Sequence, residues 1–182
     1  LDSKGYKVGI IAQPEKDEDY KACGKPKYFF CITSGLLDSM LANYTPMLKK
    51  RENVLVPERA LMVYTQKLKQ HFRNCMTVLG GVEATIRRFT HFDYKDNRLR
   101  RGILNDTKTD LLLFGNAERS ILTLLERMKK TTGTFDEIKG NLDLSSIEGV
   151  SFRIRKEEIN PKTRNLPSYE DCIADKEKFN LL

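Results

Sequence analysis

The sequence has few of the features that mark membrane, secreted or metal-binding proteins. It has no run of eighteen apolar residues, and its first residues lack the charged start and apolar centre of a signal peptide. We therefore expect a cytoplasmic protein that does not contact membranes. Only two histidines accompany the four cysteines at positions 23, 31, 75 and 172, and no Cys-x-x-Cys spacing occurs. The pattern predicts no zinc or iron–sulfur site within this chain, and Cys31 and Cys75 are expected to be buried, reduced thiols.

Three common enzyme signatures are also absent. The sequence contains no Gly-x-Gly-x-x-Gly loop and no Walker-type lysine loop, so dinucleotide binding and P-loop chemistry lose their main support. A serine, histidine and acid set with an elbow motif is missing too, which argues against an autonomous hydrolase.

The composition fits one compact domain, or one domain with a tail. The chain has 182 residues, of which 40% are hydrophobic and 31% charged, and its net charge is +7. The positive excess concentrates in two basic clusters, residues 49–73 and 87–101. Such clusters are commonly solvated surface, and the alternative is a nucleic-acid-binding module or contact with another anionic substrate.

Strand, glycine and helix patterns follow one another repeatedly. Residues 6–14 are nearly continuously apolar and predict a buried strand, and residues 27–35 predict a second strand that stops at a glycine. The same pattern returns at residues 75–81 and 110–115, each time followed by a helical segment. This alternation predicts an α/β fold with a parallel sheet covered by helices on both faces.

Glycines end the predicted strands at Gly35, at Gly80 and Gly81, and at Gly115. In parallel sheets ligands bind at the carboxyl ends of the strands, and a glycine there lets another molecule approach the backbone closely. Together with Ser34, these glycines are expected to form one ligand-facing or interface-facing rim. The alternative is that they only permit tight turns.

Further candidates lie near this rim. Glu83 and Arg87 are four residues apart on the predicted helix, so they either form a surface ion pair or, with Arg88, face a partner or an anionic substrate. His91, Asp93 and Tyr94 combine with nearby arginines in a predicted loop that could stack bases, although such a histidine is commonly structural. Glu118 either adds a carboxylate to the rim or complements the helix dipole. No residue is predicted to be catalytic.

A longer set of motifs resembles a known family. The segments GYKVGIIAQP, KYFFCITSGLLDSM, MVYTQKLK, VLGGVEATIRRFTHFDY, TDLLLFGNAER and NLPSYED resemble the amino-terminal domain of YgiQ-type radical SAM proteins, in order and wording. The resemblance implies a flavodoxin-like, cobalamin-binding-like domain that precedes a radical SAM barrel in the same polypeptide. That barrel would carry a four-iron four-sulfur cluster and S-adenosylmethionine, so this chain is expected to be inactive alone and to hold no cofactor.

The resemblance to true cobalamin binders is only partial. Ser34-Gly35-Leu36 and Gly80-Gly81 match two of their motifs, but the loop that supplies a histidine to cobalt would precede Leu1. Cobalamin is therefore not expected here. The first strand would be missing with that loop, which predicts a gap inside the sheet and a fragment that is marginally stable or self-associates. Residues 1–150 are predicted to form the domain, and residues 151–182 a hairpin and connector.

Overall fold

A four-stranded sheet forms the centre of the molecule. The computed structural model describes residues 1–131, 137 and 142–182. In chain order, the strands are β1 (Phe29–Ile32), β2 (Met76–Leu79), β3 (His91–Asp93), β4 (Arg98–Arg100), β5 (Leu111–Leu113) and β6 (Val150–Phe152). The helices are α1 (Ser39–Asn43), α2 (Ala60–His71), α3 (Gly81–Ile86), α4 (Ile103–Thr107), α5 (Glu118–Lys130), α6 (Tyr169–Ala174) and α7 (Lys176–Phe179).

The main sheet is mixed and mostly parallel. Its order is β1-β2-β5-β6, with β1, β2 and β5 parallel and β6 antiparallel to β5. The register pairs Cys31 with Val78 and Val78 with Leu111, so β2 is an inner strand, and all four of its residues are buried. β6 lies at the start of the segment for which a hairpin and connector are expected, and it pairs with β5.

Helices cover both faces of this sheet, which confirms the predicted α/β class. Successive side chains of a strand point to opposite faces. On one face, Leu79 and Leu112 pack in a core with residues of α2 and α4. On the other face, Val78 and Leu111 pack with residues of α5. The arrangement is consistent with a flavodoxin-like fold.

Residues 6–13 do not form the predicted strand. They carry no regular secondary structure, and Val8 and Ile10 are exposed, Ile10 by 82%. A strand is stabilised by hydrogen bonds to a neighbouring strand, and the backbone of residues 7–12 makes none to any other described residue. The apolar run therefore has the composition of a buried strand but no partner to pair with.

A smaller difference concerns the region after α3. Residues predicted as a loop form an antiparallel hairpin, in which His91 pairs with Arg100 and Asp93 with Arg98. At the turn of this hairpin, Asn97 has φ 49°, in the left-handed region that asparagine tolerates well.

In the described ranges, no helix is long and apolar enough to cross a bilayer.

Candidate functional site

The carboxyl ends of β1, β2 and β5 share one edge of the sheet because the three strands are parallel. The Gly80 N–H donates to the Ile32 carbonyl at 2.9 Å. A Cβ built at Gly81 would lie 2.4 Å from Thr33 Oγ1 and 3.9 Å from the Gly35 carbonyl oxygen. The structure therefore brings Gly35, Gly80 and Gly81 together. We call this edge, with Ser34, Gly115 and Glu118, the carboxyl rim.

Not every rim residue faces outward. The buried Ser34 hydroxyl donates to the Leu37 carbonyl at 2.8 Å and so shapes the loop after β1. Gly35 and Gly115 adopt left-handed φ values of 93° and 67°, and a Cβ at either position would meet no atom within 4 Å. Glu118 is exposed in the first turn of α5. The rim thus presents open backbone with one nearby carboxylate.

A buried polar network lies beside the rim. The Asp38 carboxylate receives two hydrogen bonds from the Arg87 guanidinium, at 2.8 and 2.9 Å, and also caps α1 by accepting from the Met40 N–H. The Glu83 carboxylate is 1% exposed and accepts from the Ser39 N–H at 2.8 Å. Glu83 and Arg87 therefore tie α3 to α1, and neither side chain lies on the surface.

Asp93 is the centre of a second buried group of charges. Its carboxylate, 1% exposed, accepts from Arg59 at 2.8 Å and from Arg100 at 2.7 Å. Burial alone would raise the pKa of Asp93, but the Arg59 hydrogen bond, backbone N–H donors and the charges of both arginines lower it to about 2. Asp93 is thus a structural carboxylate that fixes the β3–β4 hairpin to the loop before α2.

The remaining candidates are also engaged within the chain. The Tyr94 hydroxyl donates to the Met40 carbonyl at 3.0 Å. The Arg88 guanidinium stacks over the Phe89 and Phe114 rings, at 4.5 and 5.0 Å from their centroids. His91 Nδ1 lies 3.1 Å from the Phe89 carbonyl oxygen, and burial lowers the pKa of the imidazole, which favours its neutral form.

Sequence patterns missed the partners of these residues. Asp38, Arg59 and Arg100 hold the two networks together, yet each pair spans residues far apart in the chain except Asp93 with Arg100. One signal was available, since an aspartate directly before a helical segment is a preferred N-cap. Helical spacing could suggest only the local Glu83–Arg87 pair, whereas tertiary contacts give each of them another partner.

An exposed apolar surface borders the rim. Five large apolar side chains on the loop after β1, on α1 and on α3 are at least half exposed, and Leu36 is the most exposed of them at 93%. Hydrogen bonds of Asp38 and Glu83 join these three segments, so the side chains share one region of the molecule. We call this surface the rim patch; it consists of Leu36, Leu37, Leu41, Val82 and Ile86.

Carboxylates form ion pairs with many of the cations in the two basic clusters. Five of the six cations in the cluster 87–101 form ion pairs: Arg87 with Asp38, Lys95 with Glu58, Arg98 and Arg100 with Asp96, and Arg101 with Glu170. In the cluster 49–73, the exposed side chains Lys49, Arg51 and Arg73 form no ion pair within the described part of the chain. Within these two clusters, the exposed cations without a carboxylate partner in the described part of the chain therefore lie before and after α2.

All four cysteines are free thiols, and they differ in burial. Cys23 and Cys31 are exposed, Cys75 is half-buried and Cys172 is buried. The expectation of a buried Cys31 is therefore wrong, because this residue lies on a sheet edge that no described strand covers. Among the residues that the structure describes, no three His, Cys, Asp or Glu side chains are grouped so that they could hold a metal ion.

The fold and the site define a layered α/β domain whose strand ends carry glycines and an exposed apolar surface. The family to which this domain belongs follows from a comparison with family models. Residues 1–181 match the family model described as Radical SAM N-terminal, and the chain belongs to this family. The resemblance to YgiQ-type radical SAM proteins is thereby confirmed.

Curated relatives are much longer than this chain. A UPF0313 protein of Methanocaldococcus jannaschii is 40% identical over 190 residues, which cover 96% of this chain and 30% of the relative. UPF0313 proteins of Geobacter sulfurreducens and Fusobacterium nucleatum are each 37% identical, over 98% and 96% of this chain and 30% and 31% of the relatives. The chain thus spans about 30% of the length of these relatives. No solved structure matches it.

Proposed function

We propose that this chain is a non-catalytic amino-terminal accessory domain of a YgiQ-type radical SAM iron–sulfur protein. It packs on the radical SAM domain of the same polypeptide and shapes the access of substrate to that domain. The observation that carries this proposal is the rim patch, because exposed apolar side chains gathered on one surface mark interaction sites. The chain spans only about 30% of the length of its relatives, so the partner in this proposal is the remaining part of the same polypeptide.

The parts of the rim are held in place before any partner arrives. Ser34 fixes the loop that bears Leu36, and the Asp38–Arg87 pair fixes α1 against α3. A surface that is already ordered loses little conformational entropy on association. The rim patch therefore suits a stable intramolecular interface.

The iron–sulfur cluster and S-adenosylmethionine of the parent would belong to its radical SAM domain. The residues of this chain do not fit a cluster, since the described residues contain no group of three His, Cys, Asp or Glu side chains that could hold a metal ion. No step of the parent's chemistry is assigned to this chain. Cobalamin forms no part of the proposal.

Hydrogen exchange in the intact Methanocaldococcus jannaschii relative tests the interface. We expect the amides aligned with α3 to exchange at least about tenfold more slowly in the relative than in this chain alone, because docking suppresses local opening. Aspartate at the positions aligned with Leu36 and Val82 should remove this extra protection.

A matched control is available on another helix. Ile173, on α6, is 59% exposed, much like Leu37 at 60%, but lies outside the rim patch. Aspartate at the position aligned with Ile173 should leave the protection of α3 unchanged. Equal exchange of α3 in the relative and in this chain would contradict the proposed interface.

The alternative from another class is a nucleic-acid-binding module that uses the clusters 49–73 and 87–101. The ion pairs within the second cluster weaken it, since an arginine that is already paired with a carboxylate must give up that partner to neutralise a phosphate. Filter binding of single-stranded RNA by this chain at several salt concentrations distinguishes the two. Affinity that falls steeply with salt would support the module, and no salt-sensitive binding would remove it.

A further inference from the structure

A large cavity runs along the outer side of β1. Its volume is about 1020 Å³, and its two long walls are residues 5–14 and residues 26–35. Tyr6 and Tyr28 lie at corresponding ends of the two walls, with their ring centroids 6.3 Å apart. We call this cavity the slot.

Both walls of the slot carry unpaired backbone. Gly80 N–H donates to the Ile32 carbonyl, so Phe30 and Ile32 direct their backbone groups to β2. In a parallel ladder the intervening residues, Phe29 and Cys31, direct theirs to the opposite side, which is the slot. The backbone of residues 7–12 likewise makes no hydrogen bond to another described residue.

β1 lacks three of the devices by which proteins protect an edge strand. Its sequence, FFCI, contains no charge and no proline, and no bulge interrupts its pairing with β2. An apolar edge without these devices is typical of a strand that is covered on both sides.

The slot also reaches both faces of the sheet. Tyr64 and Leu68 of α2 line it from one face, and Leu125 and Lys129 of α5 line it from the other. A β-strand places alternate side chains on the two faces. A small ligand of a parallel sheet instead binds beyond the carboxyl ends of the strands, and about 1020 Å³ is at the upper limit of ligand pockets.

We propose that the slot receives one extended segment of the longer polypeptide, which pairs with β1 on one side and with residues 6–13 on the other. Residues 6–13 then become the strand that their sequence predicts. The occupant is a peptide strand because only a strand satisfies both rows of backbone groups and both faces. The relatives, of which this chain spans about 30%, have ample polypeptide to supply it. This proposal does not rest on the proposed function.

Hydrogen exchange followed by mass spectrometry tests the slot in two proteins. In this chain, the amides of residues 7–12 should exchange at nearly the rate of an unfolded peptide. In the intact Methanocaldococcus jannaschii relative, the aligned amides should exchange about a hundredfold more slowly, because they become part of a sheet. Fast exchange at these positions in the relative would overturn the proposal, and so would strong protection in this chain alone.

A proline separates strand pairing from general burial. Cys31→Pro removes an N–H that faces the slot but leaves the hydrogen bonds between β1 and β2, and proline is tolerated at such edge positions. In the relative, proline at the position aligned with Cys31 should abolish the protection of the segment aligned with residues 7–12, whereas valine should preserve it. Unchanged protection with proline would contradict pairing through β1.

Other occupants give different results. In this chain, C31P and C31V should melt within about two degrees of each other, which shows that the proline does not unfold the sheet. Native mass spectrometry and size-exclusion chromatography of this chain should find a monomer without added mass. A bound small molecule would make the slot a ligand site, and a dimer with protected β1 amides would make a second copy the occupant; either result overturns the proposal.

Discussion

The two sides of β1 differ in how many of their polar groups have a hydrogen-bond partner within the chain. On the side of β2, the backbone is paired and the polar network of Asp38, Glu83 and Arg87 leaves each charged group with a partner. On the side of the slot, backbone groups of β1 and of residues 7–12 have no partner within the described chain. One half of this domain is therefore stabilised by its own residues, whereas the other half has backbone groups that, in our proposal, pair with another segment of the longer polypeptide.

The largest expected effect on stability comes from breaking the buried polar network around Asp38. Asp38→Ala leaves the Arg87 guanidinium buried without its carboxylate and removes the cap of α1, so we expect the free energy of unfolding to fall by about 3–5 kcal/mol. Urea denaturation of both proteins measures this. A loss below about 1 kcal/mol would mean that the network does not hold α1 against α3.

An exposed aspartate provides the control. Asp17 contacts Lys67 at 2.7 Å, but the two side chains are 49% and 39% exposed to solvent. Asp17→Ala should leave the urea midpoint nearly unchanged, because surface ion pairs contribute little. If both variants lost the same stability, burial would not explain the difference.

The second effect depends on pH. The pKa of Asp93 is about 2 in the folded chain and about 3.9 in unfolded peptides, so its carboxylate favours folding above about pH 4. This contribution disappears as the pH falls toward 2. We expect the difference in unfolding free energy between the natural chain and Asp93→Asn to shrink by about 1–2 kcal/mol between pH 6 and pH 2. A difference that is independent of pH would contradict the low pKa.

The third effect compares neighbouring glycines of the carboxyl rim. Gly81 has φ 84°, and an added Cβ would meet Thr33 Oγ1 at 2.4 Å, so Gly81→Ala should cost about 1–2 kcal/mol. Gly80 has an extended backbone and 3.9 Å of space to the Leu113 carbonyl, so Gly80→Ala should cost less than about 0.5 kcal/mol. Thermal melts measure both, and equal costs would show that close approach at Gly81 is unimportant.

The smallest effect is expected on the rim patch. Leu36 is almost fully exposed, so Leu36→Asp should change the unfolding free energy of this chain by no more than about 0.5 kcal/mol. The same change should matter only where a partner covers the patch. A loss of more than about 1 kcal/mol in the isolated chain would mean that Leu36 packs within the domain.

Local sequence patterns were sufficient to predict most strands of the main sheet. Apolar runs that end at glycine predicted β1, β2 and β5, because buried parallel strands leave that mark in the sequence. The same rule predicted a strand at residues 6–13, which is unpaired in the structure. Strand formation depends on a neighbour as well as on composition, so no pattern within these residues could show whether the neighbour is present.

The candidate site was predictable in position but less so in chemistry. Strand order places Gly35 and Gly81 at one edge, as their sequence context predicts. The environments of Glu83 and Asp93 depend on Ser39 and Arg59, which are 44 and 34 residues away along the chain. Sequence spacing does not report such contacts. Both acids therefore looked like surface groups, although they are buried structural ones.

An experimental structure of the intact Methanocaldococcus jannaschii relative tests the central claim most directly, namely that β1 is an inner strand of the complete protein. We expect an extended segment about 4.8 Å from the strand aligned with β1, on the side opposite β2, with the segment aligned with residues 6–13 as the next strand. Solvent, a bound small molecule or the surface of the radical SAM domain at that position would contradict it.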